Sequence, residues 1–406
     1  MFTTNSTLDI QNILPYFQPI IGADQQSIVG YEILGRYQLN NKIISLGPYF
    51  HSDSINLSDK KIADYWVRMK AIEVITITNS PNKSYFFNIN LDFFDSSYDD
   101  FFEKLVILFN DHICHPSQIV LEITENDFNA NETQLIHQLK KYRQLGCRIA
   151  VDDLGKAFSN LERVALLNPH IMKVDLNLVQ KSKNSQSHRD VLHALSILSQ
   201  RLGAQLLFEG IETIDLLENA WKNGAQYYQG YLFAKPQPSP IDRTEFVGEF
   251  DDQLERMIQR EINRLQIRYN YEKELNTLLK STLSSVSFTF DYDQYLTHLC
   301  SRLPRECFRV YICNRLGYQL SGNHYRKTNS NWIIQNHYRN KNWSWRPFFL
   351  QNIVNMELNQ KGFLSDLYTD IDTNELIETF SFPVHKNTYL FVDLILPKNE
   401  ENCVGL

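Results

Sequence analysis

Over the first 240 residues, short apolar runs alternate with longer amphipathic stretches, the pattern of a chain that lays down strand after strand with helices between. The runs are YFQPII (16–21), IVGYEILGRY (28–37), SYFFNIN (84–90), QIVLEI (118–123), RIAVDD (148–153), IMKVDL (171–176), AQLLFEG (204–210) and YYQGYLF (227–233), which makes eight candidate strands. The first two are joined only by GADQQS, a hairpin-length link, whereas later joins carry helical spacing, as in QLIHQLKKYRQLG and DVLHALSILSQRLG. The pattern predicts an α/β fold, a (β/α)8 TIM-like barrel with an antiparallel first strand.

From residue 246 to 283 the text is long, charged and helical, with Phe246, Phe250, Leu254 and Met257 at helical spacing. It reads as a linking helix after a barrel over 1–245. Beyond it the sequence turns aromatic and β-rich (CFRVYICN, NWIIQNHY, IETFSFPV, TYLFVDLIL), predicting a small α+β domain over 284–406.

Composition narrows the class of function. A net charge of −7 removes the basic field that a protein coating DNA or RNA needs to displace counterions. The N-terminus has no basic segment followed by an apolar one, and no run reaches the roughly 18 apolar residues of a membrane span, so a cytoplasmic protein without membrane insertion is expected. Six cysteines without a CxxC pair suggest free, buried thiols rather than a zinc knuckle or disulfide framework.

The acids fall at strand ends. Glu32 lies in the second run; Asn88, Glu122, and Asp152 with Asp153 end the third, fourth and fifth; Lys173 with Asp175, Glu209, and Gln229 lie on the last three. In a barrel these converge on the C-terminal mouth, where chemistry is found. One strand-end acid is more often a helix cap or a solvated loop group. Several converging acids need a cation to stay ionised together. An all-oxygen set without His or Cys favours magnesium or manganese over zinc, and two such ions could clamp the attacking and leaving oxygens of a phosphodiester.

The segments FQPI (17–20), GYEILGR (30–36), FNIN (87–90), LEITE (121–125), VDDLG (151–155), KVD (173–175), EGIET (209–213) and QGYLF (229–233) occur in order over about 240 residues. Together they resemble the motif series of the EAL-domain cyclic di-GMP phosphodiesterases. The resemblance implies metal-dependent hydrolysis of cyclic di-GMP to linear pGpG, with calcium as a non-productive occupant of the metal site. It implies Glu32, Asn88, Glu122 and Asp152 as ligands of a first metal, and Asp153 as ligand of a second that Asp152 bridges. Glu209 corresponds to the general base and Lys173 to the residue that steers the water, with Asp175 and Glu212 supporting the metal and lysine network. Gln229 would meet water or metal, Gln18 and Arg36 would hold guanine and phosphate, and Glu125 would anchor the loop after the fifth strand. A homodimer is also implied.

Two positions depart from the motifs. Ile33 replaces the family's alanine, which repacks a strand. In DDLGKAFSNL (152–161), Lys156 and Ala157 stand where the family has Thr and Gly. A lysine beside a cation site adds repulsion, and losing Gly removes access to positive φ. Both changes predict low basal turnover; the alternative is a receptor that binds without cleaving. A barrel hydrolase of another phosphodiester is a third reading, excluded if Arg36 and Gln18 contact the ligand.

In the C-terminal domain, NWSWRPFFLQNI (342–353) and the strand-rich text after it resemble PAS-like or Cache-type sensor domains. That similarity implies a pocket lined by Trp343, Trp345, Arg346, Asp366 and Tyr368 for an unknown small molecule. The whole arrangement resembles the Bacillus-type two-domain signalling proteins that join an EAL domain to a PAS-like one.

Overall fold

The computed structural model describes residues 8–78, 80, 82–90, 100–124, 132–155, 161–242, 247–285, 288–289, 291–327 and 331–395. The chain forms two compact units that divide between Met257 and Ile258.

In the first unit the strands are β1 (Ile13–Gly22), β2 (Ile28–Leu39), β3 (Lys42–Ser45), β4 (Ser84–Asn88), β5 (Ile119–Thr124), β6 (Arg148–Leu154), β7 (Ile171–Val174), β8 (Gln205–Phe208) and β9 (Tyr227–Tyr228). β2, β4, β5, β6, β7, β8 and β9 pair in parallel in that order, and β1 closes the ring, antiparallel to both β2 and β9. The result is the expected TIM-like barrel with an inverted first strand, and β3 is an extra strand on the outer part of β2.

Side chains of a strand alternate between two faces, and here the faces go to two cores. Inside the barrel, Ile20, Phe86, Val120, Ala150, Ile171 and Leu207 form a plug with Val29 and Tyr227 against it. The alternate positions, among them Phe17, Tyr31, Phe87, Leu121, Val151, Met172, Leu206 and Phe208, pack outward in the core that includes the surrounding helices. These helices include Leu57–Thr78, Glu132–Leu145, Gln186–Leu202 and Ile214–Lys222. Gln186–Leu202 ends on Gly203, whose φ of 67° is the left-handed stop that glycine takes without a Cβ penalty.

The eighth run is shorter than expected. β9 holds only two residues because the chain turns at Gly230, where a Cβ would stand 2.0 Å from the Ile211 carbonyl oxygen. The pairing continues through Gln229, whose N–H donates to Phe208 O and whose carbonyl accepts from Ile211 N, each at 2.9 Å.

A 38-residue helix, Val247–Ser284, gives Phe250 and Met257 to the core of the first unit and Leu275 and Leu279 to the core of the second. The second unit is built on an antiparallel sheet of β10 (Cys307–Asn314), β11 (Asn323–Arg326), β12 (Trp332–Gln335), β13 (Phe363–Leu364), β14 (Tyr368–Thr369), β15 (Leu376–His385) and β16 (Thr388–Ile395). One face buries Val310, Ile312, Phe380 and Val392 with the helix Tyr292–Cys300; the other buries Tyr311 and Phe391 with Phe349, Ile353 and Met356 of the helix Phe349–Asn359. No described helix is long and apolar enough to cross a membrane. The five described cysteines are free and buried, and burial pushes the Cys147 thiol up to about 12.

Candidate active site at the barrel mouth

The polar site follows from the same alternation that makes the plug. Two residues beyond each plug residue, on the same face, the chain places a polar group: Asn88 after Phe86, Glu122 after Val120, Asp152 after Ala150, Lys173 after Ile171, Glu209 after Leu207 and Gln229 after Tyr227. On the inverted β1 the step runs backwards, from Ile20 to Gln18, which stands opposite Glu32 in register. A ring of hydrogen-bonding and charged side chains thus caps an apolar interior.

Lys173 is its centre. Fully buried, its Nζ lies 2.7 Å from Glu122 Oε1, 2.7 Å from Glu209 Oε1, 3.3 Å from Asp152 Oδ1 and 3.8 Å from Glu32 Oε2. Burial alone would lower the ammonium pKa, but Asp152, Glu122, Glu209 and Glu32 outweigh it and hold the lysine charged. One cation cannot neutralise four acids. Burial pushes the Glu122 carboxyl well above its ordinary range, aided by Glu32 and Asp152 against the pull of Lys173. Glu209 is raised to about 8 by burial first and by Asp152 next. Its side chain keeps 21% exposure, against 0% for Glu122, so of these two Glu209 is the one placed to meet water.

Glu32 is aimed from both sides: Asn88 Nδ2 donates to Oε1 at 3.1 Å and Gln229 Nε2 to Oε2 at 2.6 Å. In a regular strand Asp152 and Asp153 would face opposite ways. The β6–β7 register shifts between Val151 and Leu154, and Asp153 adopts a φ of 61°, a left-handed conformation uncommon outside glycine. This kink breaks the alternation, and ligand oxygens of Asp152, Asp153 and Glu209 come within 4.8 Å of one another.

These residues fit a hard divalent cation. The donors are carboxylates and amides, and Glu122 Oε2 and the Gln229 amide oxygen are buried without a hydrogen-bonding partner. A cation beside Glu122 would supply what those oxygens lack.

β1 and β2 have 10 and 12 residues against four to seven for β4 through β8, and extend past the ring as a ribbon. Its mouth-facing side carries Tyr16, Gln18, Glu32 and Arg36. Arg36 is half-buried, donates to its neighbour's Gly35 carbonyl at 3.0 Å and lies over the Tyr16 ring; among the described residues no carboxylate pairs with it. Sequence reasoning missed Tyr16, which period two from Gln18 would have found.

Two expected members sit at helix starts. Asp175 is the N-cap of the helix Leu176–Ser182 and its Oδ1 accepts from Asn177 N at 2.7 Å and Nδ2 at 2.6 Å, so the chain spends it on an open helix end. Glu212 is exposed just before the Thr213 cap of the next helix, and Lys173 has no ion pair with it. Glu125, Lys156 and Ala157 lie outside the described residues. In the second unit, Trp345, Arg346, Asp366 and Tyr368 line one cleft of about 440 Å³. Trp343 stands behind it, its indole N–H donating to Gln319 Oε1 at 2.7 Å.

Comparison with known proteins agrees with the geometry. Residues 4–236 match the EAL domain, and residues 241–397 match a domain described as an EAL-domain associated signalling protein domain. The chain is 36% identical over 394 residues, 95% of each chain, to the uncharacterized EAL-domain containing protein YkuI of Bacillus subtilis. It is 27% identical over 235 residues, 57% of this chain and 59% of the relative, to the cyclic di-GMP phosphodiesterase RocR of Pseudomonas aeruginosa. The crystal structure of B. subtilis YkuI in complex with cyclic di-GMP and calcium superposes with a TM-score of 0.89 at 35% identity, covering 96% of this chain and 97% of that one.

Proposed function

The chain belongs to the EAL-domain family, and from that premise we propose that it binds cyclic di-GMP at the barrel mouth and hydrolyses it to linear pGpG. The observation that carries this reading is Lys173 buried among four carboxylates beside the Asp152, Asp153 and Glu209 trio, beneath a ribbon bearing Arg36. Glu32, Asn88, Glu122, Asp152 and Asp153 would hold magnesium or manganese, which supplies Lewis acidity toward the phosphodiester. Arg36 grips a phosphate with its forked guanidinium, and Gln18 meets a guanine edge. Glu209, the acid with a raised pKa and access to solvent, takes the proton of the attacking water. Lys173 fixes that carboxylate from 2.7 Å, while Asn88 and Gln229 fix Glu32.

The relatives support the ligand: RocR is named a cyclic di-GMP phosphodiesterase, and YkuI was crystallised with cyclic di-GMP and calcium. The same reading takes the protein as cytoplasmic and the second unit as a PAS-like sensor. It also takes the chain as a homodimer, supported by exposed Ile258, Ile262, Leu265 and Tyr269 at coiled-coil spacing on the long helix. A receptor that binds without cleaving is favoured by one feature, the Lys156 and Ala157 departure. Incubation of the purified protein with cyclic di-GMP and magnesium or manganese, with chromatography for pGpG, separates the two. Metal-dependent pGpG is expected; binding without any pGpG at every metal concentration would leave the receptor.

A further inference from the structure

The second unit buries two guanidinium groups and treats them differently. Arg309 is held by Asp370 through two hydrogen bonds of 3.0 and 2.6 Å and by Asp393 at 3.2 Å. Arg346 is only 7% exposed, yet among the described residues no carboxylate pairs with it. Its Nη1 donates to the neutral Tyr368 hydroxyl, and its Nε is buried without a partner. Asp393, the acid whose charge Arg346 feels, has one oxygen taken by Arg309 and the other by Thr379 Oγ1 at 2.7 Å. The rings of Trp343, Tyr368 and Trp345 surround the guanidinium at 4.8, 5.3 and 5.9 Å, which softens its burial without neutralising it.

This cation lines the cleft of about 440 Å³, the size of a small-molecule site. Three residues on, the helix Phe349–Asn359 begins without a side-chain cap, adding the partial positive charge of its open N–H groups. The remaining walls include apolar Phe348, Phe363, Leu364 and Leu367. Asp366 also lines the cleft; its exposed carboxylate lies 3.6 Å from Arg268, and a second negative charge beside it would be repelled.

We propose that this cleft binds a small amphipathic monocarboxylate, its carboxylate on Arg346 and its apolar body against Phe348, Phe363 and Leu364. Arg346 has no carboxylate in direct contact among the described residues, and a planar carboxylate offers the guanidinium the two-point partner that Asp370 gives Arg309. Such binding is independent of what the barrel does.

The test uses the full chain and a panel of propionate, butyrate, benzoate and phenylacetate, each beside its own primary amide. Thermal unfolding and tryptophan fluorescence report on the site, since Trp343 and Trp345 flank the guanidinium. At least one acid should raise Tm and change the fluorescence saturably, with its amide inert. Arg346→Gln should weaken that acid roughly ten- to a hundredfold, the loss of a charge-assisted pair. Asn355→Phe, which narrows the cleft from the helix and keeps the guanidinium, should abolish binding in a protein of parental Tm, and so decides the matter if Arg346→Gln does not fold. Equal responses to acid and amide, undiminished affinity in Asn355→Phe, or no response to any acid at millimolar concentration would overturn the proposal.

Discussion

Lys173 is the side chain on which the mouth depends, and its surroundings set a pH signature. Glu209 is raised from 4.5 to about 8, and Glu122 stands well above the ordinary range. For acids raised on folding, the stability they confer is complete below their unfolded pKa and is lost as pH climbs through the folded one. In chelator the protein should therefore lose stability between pH 4.5 and about 8. A divalent cation favours the ionised forms, so its binding should release protons, and the Tm gain from magnesium should grow over that window. Thermal melts with and without EDTA across the range check this; a magnesium shift independent of pH would place the cation away from these acids. Glu209→Gln keeps the shape and removes the base, so pGpG formation should fall by a hundredfold or more, roughly the worth of general-base catalysis, with cyclic di-GMP still bound. Most of the mouth residues were legible one by one because each lies two positions past an apolar residue.

At the scale of elements, two local departures from ideal strands make the site. The left-handed Asp153 brings neighbouring carboxylates together, and the long β1–β2 ribbon carries Arg36 beyond the ring. Arg36→Ala should weaken cyclic di-GMP binding roughly ten- to a hundredfold in calorimetry by removing a charged partner of phosphate; unchanged affinity would put the ribbon outside the site. The kink itself could not be read from the sequence, because Asp is not a positive-φ residue by default and the cause lies in the β6–β7 register. β3 went unread for a related reason: KIIS is short and exposed, without the alternation that marks a half-buried strand. The Lys156 and Ala157 departure invites a test of its own. A unit charge about 6 Å from another at an effective dielectric of about 20 is worth roughly 3 kcal/mol, and a divalent ion doubles it. Lys156→Thr with Ala157→Gly should therefore raise turnover at fixed magnesium while leaving ligand affinity unchanged, as steady-state assays would show; no gain at any metal concentration favours the receptor.

For the whole molecule, the sequence predicts a linking helix over 246–283 between two domains, whereas the helix Val247–Ser284 is shared by two units that divide after Met257. Phe250 and Met257 belong to the core of the first unit, while Leu275 and Leu279, 3% and 1% exposed, belong to that of the second. A cut after residue 280 therefore leaves the barrel carrying two leucines deprived of their core, whereas a cut after Met257 leaves each buried side chain with its own unit. Returning two buried leucines to water forgoes roughly 3–6 kcal/mol of transfer free energy and leaves an apolar stripe on a detached helix. The fragment 1–257 should be soluble, melt cooperatively and bind cyclic di-GMP with the affinity of the full chain, since every mouth residue lies within it. The fragment 1–280 should bind equally but self-associate, through those leucines and the stripe of Ile258, Ile262, Leu265 and Tyr269. Sedimentation of the two fragments beside 1–280 carrying Leu275→Ser and Leu279→Ser distinguishes the contributions: association relieved by the serines comes from the stripped core, and association that persists comes from the exposed stripe. An insoluble 1–257 fragment would show instead that the barrel cannot fold without the second unit.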